Sequence, residues 1–257
     1  MLERINFYVS SALLGVIAFS LIIYSFSFQK TEIEKYEEER IRKYASGYPR
    51  TIKKIYKFLG EWIIWIASKV FDAFPKNIDP IKISISGMIL SIGAAVSISL
   101  NFVSLGSILV LLGGFMDILD GKSARTNNRV SPSGAFIDSV LDRIGEIAIF
   151  SSISIMYIQN NYQIPASITV LALGFSILVS YIRSRGESLG ILSEEGIMRR
   201  QERIFLIFTG LLLDSLFYLL TKKIIFITIS VTLILIGSLY TSIERFRFIY
   251  LKLKSKK

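Results

Sequence analysis

Asp117-Ile-Leu-Asp120-Gly121-Lys-Ser-Ala124-Arg125-Thr-Asn-Asn-Arg129-Val-Ser131-Pro-Ser-Gly134-Ala-Phe-Ile-Asp138-Ser-Val-Leu-Asp142 is the stretch on which the reading of this chain turns. Asp117 and Asp120 are three apart and share one face of a helix, and Asp138 and Asp142, four apart, share one face of the next. Gly121 lies one turn after Asp117, and Gly134 one turn before Asp138, on those same faces. Small residues there are expected to let the two helix backbones approach closely. Two helices joined by a short loop would then aim four carboxylates at one point.

Outward from that stretch the chain is strongly apolar. Runs at roughly 82–102, 104–121, 164–184, 203–221 and 224–243 are long enough to cross a bilayer. The amphiphilic stretch 134–158, which carries Asp138 and Asp142, completes a set of six. Another apolar run, about Phe7 to Phe28, has no small-residue cleavage site and is too long for a signal-peptide core, so it reads as a retained span. Residues 29–48 turn abruptly charged. After Arg50, apolar residues at Ile52, Ile55, Leu59, Trp62, Ile66 and Val70 make one helical face, with Arg50, Lys53, Lys54 and Lys57 off it. That pattern fits an amphipathic helix lying in the membrane interface. The expected fold is therefore an all-α polytopic membrane protein. Its parts are an N-terminal transmembrane helix (1–28), a charged linker and interfacial helix (29–76), and a six-span catalytic domain (77–257).

Composition narrows the chemistry. The chain has 257 residues, 52% hydrophobic, with a formal net charge of +10, no histidine and no cysteine; its mean hydropathy is +0.53. Thiolate chemistry, disulfides and imidazole bases are excluded, so a bound metal must be a hard cation held by oxygen. The basic residues gather in the linker, in 122–133 (Lys122, Arg125, Arg129), in 185–203 and in the C-terminal tail. By the positive-inside rule those segments are cytoplasmic, with Lys222 and Lys223 as an exception on the outer side. Nucleic acid is not an expected partner of a chain with several spans.

An uncompensated carboxylate in the apolar layer costs about 2.5–3.5 kcal/mol on insertion scales, and four together repel one another. Pairing with Arg125, Arg129 or Arg143 would relieve one or two of them. Divalent cations would relieve all four, with water and substrate phosphate completing the shell. A two-metal clamp stabilises the attacking and leaving oxygens of a phosphoryl displacement.

The spacing D-x2-D-G-x2-A-R-x8-G-x3-D-x3-D resembles the signature of the CDP-alcohol phosphotransferase family at every fixed position. The resemblance implies a Mg²⁺- or Mn²⁺-dependent transferase, with two ions, moving a phospho-alcohol unit from a CDP-linked donor to a hydroxyl. It implies Asp117, Asp120, Asp138 and Asp142 as metal ligands, Asp142 also being the base that deprotonates the acceptor. Gly121, Arg125 and Ser131 would contact the CDP moiety. Pro80, Ile81, Lys82 and Ile83, which open the first core span, look like the family's cytidine-closing motif, although Asp79-Pro80-Ile81-Lys82-Ile83-Ser84 departs from its usual wording. Members are usually homodimers.

Tyr181-Ile-Arg183-Ser-Arg185-Gly-Glu187 and Arg199-Arg200-Gln201-Glu202-Arg203 are similar to segments of the phosphatidylinositol-phosphate and archaetidylinositol-phosphate synthase branch, with Gln201 where proline is usual. By that likeness Arg183, Arg200, Arg203 and Arg185 would bind the phosphate of inositol 1-phosphate, and the donor would be CDP-diacylglycerol or CDP-archaeol. Arginines at this level also satisfy the positive-inside rule with no ligand at all. Glycerol phosphate or serine as acceptor, or a CDP-inositol donor, stays open within the family. Outside it, an ion-conducting protein would need polar residues continuing to the outer face, whereas Ile144 to Ile158 is nearly all apolar after Glu146. A membrane scaffold would tolerate loss of the aspartates.

Overall fold

The computed structural model describes residues 1–27, 50–73, 78–193 and 195–255. Among these residues the chain forms eight α-helices and no strand: α1 (Leu2–Ser27), α2 (Arg50–Ala73), α3 (Pro80–Ser99), α4 (Val103–Thr126), α5 (Pro132–Gln159), α6 (Gln163–Ser188), α7 (Arg200–Thr221) and α8 (Phe226–Ser255). Six of them, α1, α3, α4, α6, α7 and α8, are long and apolar enough to cross a membrane. The exception among the core helices is α5, whose first turns carry Asp138, Asp142, Arg143 and Glu146. The protein is thus an all-helical polytopic membrane protein with an extra N-terminal helix. The charged segment expected at 29–48 lies outside the described residues.

Helix boundaries follow local chemistry. Asp79 caps α3 by accepting the Ile81 N–H at 3.0 Å, and Pro80 occupies the first turn. Ser131 does the same for α5, accepting the Gly134 N–H at 3.1 Å ahead of Pro132. Proline there loses no helical hydrogen bond, and its φ is already helical. The tight connections after α3, α4 and α5 pass through Asn101, Asn128 and Asn161 in the left-handed region, φ +61, +52 and +63. Asparagine adopts that region at lower cost than other side-chain-bearing residues.

The main apolar core gathers Ile98, Phe150, Ile153, Met156, Tyr157, Leu211, Val231 and Ile234 from α3, α5, α7 and α8. Leu13 and Ile17 of α1 pack against it. The N-terminal helix is also fixed by polar contacts: Asn6 Nδ2 donates to Asn101 O (3.1 Å), Ser104 Oγ donates to Asn6 Oδ1 (2.7 Å), and Ser10 meets Ser215. Lys222, one of the two lysines that depart from the charge pattern, forms an ion pair with Glu3. At the opposite end Tyr24 of α1 packs on Phe58 and Trp65 of α2. There α2 buries Ala67 beside Ile83 and Leu119, and Lys122 donates to Ser68 Oγ at 2.8 Å.

One expectation is corrected. The aspartate-bearing helices α4 and α5 do not pack on each other; both pack on α3, which lies between them. The close approaches are at Gly113 and Gly145. A Cβ on Gly113 would stand 3.0 Å from Ser91 Oγ and 3.3 Å from Gly87 O, and one on Gly145 would stand 3.0 Å from Ser91 Cβ. Gly121 faces its own helix's Arg125, and Gly134 faces the Ser131 cap. Glycine spacing alone does not reveal which helix a glycine faces.

Candidate active site

With α4 and α5 both packed on α3, a small cleft remains between their aspartate-bearing ends. Its walls are Ser84, Gly87, Met88 and Ser91 of α3, Gly113, Asp117 and Asp120 of α4, Asp138, Leu141 and Asp142 of α5, and Arg200 of α7. All four predicted aspartates line it. One carboxylate oxygen each from Asp117, Asp120 and Asp138 lies within 4.8 Å of the others. Ser84 Oγ donates to Asp120 Oδ2 at 2.7 Å, which orients the most buried member of the group.

Asp142 stands beside this triad in a different setting. Arg200 bridges α4 and α5, with Nη1 3.0 Å from Asp117 Oδ1 and Nη2 2.7 Å from Asp142 Oδ1. Arg143 reaches Asp142 more distantly, at 4.0 Å. Of the three cations named as counter-charges from sequence, Arg143 therefore contributes, while the stronger partner is Arg200, expected instead as a phosphate ligand. Three acidic oxygens within 4.8 Å of one another fit a hard divalent cation. The chain has no histidine or cysteine that would favour a softer metal.

A second polar layer lies beneath. Glu146 accepts from Arg143 Nη1 and from Arg203 Nε, both at 2.6 Å, and Arg143 also donates to Ser180 Oγ at 2.6 Å. Arg203 is 1% exposed and donates again to Met198 O at 3.1 Å. Sequence reading placed Arg203 among the phosphate ligands and gave Glu146 no part. The signal was there: Glu146 is one turn beyond Asp142, and Arg203 one turn beyond Arg200.

The other predicted residues sit as follows. The Arg125 guanidinium lies against Gly121, where a Cβ would stand 3.2 Å from Nη1. Ser131 is committed to capping α5. Pro80 and Ile81 form the capped first turn of α3, Lys82 is exposed, and Ile83 is buried against Ala67 and Leu119. Arg183 pairs with Glu187 at 2.8 Å on the exposed end of α6, and Arg185 is exposed nearby. Neither lines the aspartate cleft.

The family to which this bundle belongs makes it a membrane-embedded transferase. The chain is a member of the CDP-alcohol phosphatidyltransferase family, whose sequence profile matches residues 78–243. It is 31% identical over 172 residues to the archaetidylinositol phosphate synthase of Methanothermobacter thermautotrophicus, spanning 67% of this chain and 83% of that protein. The fold resembles crystal structures of Mycobacterium tuberculosis phosphatidylinositol phosphate synthase. With the form that has CDP-DAG bound the TM-score is 0.62 at 22% identity, covering 73% of this chain and 93% of the other. The form in complex with manganese and citrate also gives 0.62 at 22% identity, covering 73% and 88%.

Proposed function

We propose that the protein transfers a phosphatidyl-type group from a CDP-linked lipid, CDP-diacylglycerol or CDP-archaeol, to a hydroxyl of inositol 1-phosphate, releasing CMP. The observation that carries the reading is the convergence of Asp117, Asp120 and Asp138 within 4.8 Å, with Asp142 held beside them by Arg200. Family membership supports the reaction type, and the names of the relatives support the acceptor.

Asp117, Asp120, Asp138 and Asp142 would hold Mg²⁺ or Mn²⁺, two ions in all, which when bound neutralises diphosphate charge and stabilises the departing CMP. Asp142 takes the proton from the acceptor hydroxyl. The acceptor oxygen then bonds to the lipid-bearing phosphorus as the bond from that phosphorus to the CMP oxygen breaks. Arg125, lying over Gly121, binds a diphosphate oxygen, and the first turn of α3 from Pro80 to Ile83 with Ser131 borders the cytidine. Arg200 binds the acceptor phosphate, Arg203 supports it from below, and Arg183 with Arg185 forms the exposed approach; guanidinium forks suit phosphate geometry. The basic connections support an orientation with this end on the cytoplasmic side of the cell membrane. Residues 77–257 form the catalytic domain, with α2 in the interface, and the enzyme works as a homodimer.

The test is CMP release by purified protein in detergent with Mg²⁺, each CDP-lipid, and inositol 1-phosphate against glycerol 3-phosphate and serine. Release that depends on inositol 1-phosphate and stops with EDTA supports the reading. Release only with another acceptor discards the acceptor assignment and keeps the transferase.

A further inference from the structure

The connection between α6 and α7, residues 189–199, delivers Arg200 to the cleft. The start of α7 has no side-chain cap of its own, for Arg199 at that position makes no capping hydrogen bond. What fixes it is α8. Thr241 Oγ1 accepts the backbone N–H groups of Ile197 (3.2 Å) and Met198 (3.1 Å). One turn on, Arg245 donates from Nε to Glu195 O (2.8 Å) and from Nη1 to Val179 O of α6 (3.1 Å). One turn earlier, Gly237 leaves the space that the Met198 side chain occupies. These three residues are four apart and share one face of α8. The strap matches them: Gly196 has φ +96, and a Cβ there would collide with Thr241. Arg245 is 3% exposed, and the like charges of Arg183, Arg199 and Arg203 lie around it. Burying a guanidinium beside three other arginines, with Glu195 as an opposing charge and its donors on two backbone carbonyls, costs free energy that the rest of the fold must offset.

We infer that Thr241 and Arg245 of α8 are positioning residues for the transfer reaction: they fix the strap 195–198 and through it the placement of Arg200 over the aspartate cleft. Neither touches substrate. The inference rests on the proposed role of Arg200 as the acceptor-phosphate ligand.

The experiment compares Thr241→Val, which keeps the shape and loses the acceptor, with Thr241→Ser, which keeps the acceptor, and adds Arg245→Lys. CMP release by each purified variant is titrated separately with acceptor and with CDP-lipid. The wild-type protein is first assayed with inositol 1-phosphate, glycerol 3-phosphate and serine, and the variants are read on whichever supports turnover. A wrong acceptor assignment is thereby seen in the wild type and kept apart from a wrong strap. Loss of two hydrogen bonds corresponds to roughly a ten-fold rise in the acceptor KM for Thr241→Val and Arg245→Lys. The donor KM stays within about two-fold, and Thr241→Ser restores the wild-type value. An unchanged acceptor KM, an equal change in both KM values, or a loss confined to kcat would each overturn the inference. Should Thr241→Val fail to fold, Arg245→Lys alone decides it by the same split.

Discussion

Buried aspartates occur at both ends of this bundle, and their surroundings differ in kind. Asp214, 5% exposed near the end of α7, accepts three backbone N–H groups at the start of α8: Ile225 and Phe226 at 2.9 Å and Ile227 at 2.8 Å. It caps a neighbouring helix, and its negative charge meets the positive end of that helix. At the other end Asp117, Asp120, Asp138 and Asp142 gather in one cleft, with Ser84 and Arg200 supplying donors and Arg143 4.0 Å from Asp142. One carboxylate is saturated by backbone. The four others keep lone pairs for something else. A buried acid satisfied by the chain is part of the scaffold, and a group of acids that the chain leaves to repel one another is arranged for a cation or a substrate.

The strongest way to break this comparison is to exchange the outcomes. Asp142→Asn should lower the rate of CMP release about 10³-fold or more with the helical content unchanged. Asp214→Asn should leave turnover per folded molecule intact. Retained activity in purified Asp142→Asn would remove the base from the scheme, and a dead but folded Asp214→Asn would erase the distinction between the two ends. Next in size, Arg200→Ala should raise the KM for inositol 1-phosphate roughly 10- to 100-fold, the scale of one charge-assisted bidentate contact. An unchanged KM takes Arg200 out of the acceptor pocket.

Metal removal sharpens the same contrast. At Mg²⁺ about 100 times its Kd, binding stabilises the fold by about 2.7 kcal/mol. EDTA should therefore lower the melting temperature of the wild type and of Asp214→Asn alike, and leave that of Asp120→Asn with Asp138→Asn nearly unmoved. An effect of similar size is expected from Asp214→Asn itself, about 1–3 kcal/mol of stability, measured by thermal unfolding in detergent. Smallest is Asn6→Ala, which unlinks α1 from Asn101 and Ser104. Hydrogen bonds between membrane helices average about 0.6 kcal/mol, so a shift near that size with normal turnover is expected. A large loss of activity would give the N-terminal helix a part in catalysis.

Much of this was legible in one dimension. Six spans were visible because a bilayer demands long apolar runs, and α5, which is not among them, was legible as a helix from the spacing of its aspartates. The four aspartates were visible because helical spacing places i, i+3 and i+4 together. The glycines misled, since spacing does not say which neighbour a helix face meets; the actual approaches are at Gly113 and Gly145 against α3. Arg200 was singled out from sequence as a phosphate ligand, yet its hold on Asp117 and Asp142 joins three helices and leaves no local pattern. The Arg245 contacts with Glu195 and Val179, 50 and 66 positions away, are invisible for the same reason.

The sequence by itself determined that this chain is a membrane bundle with an aspartate tetrad of transferase type, because bilayer thickness and helical periodicity are both written along the chain. Tertiary structure alone decided that α3 separates α4 and α5 to leave a cleft, and which cations share it with the acids. Those outcomes depend on how helices distant in sequence pack, and packing is settled by the fit of whole surfaces, which no local spacing records.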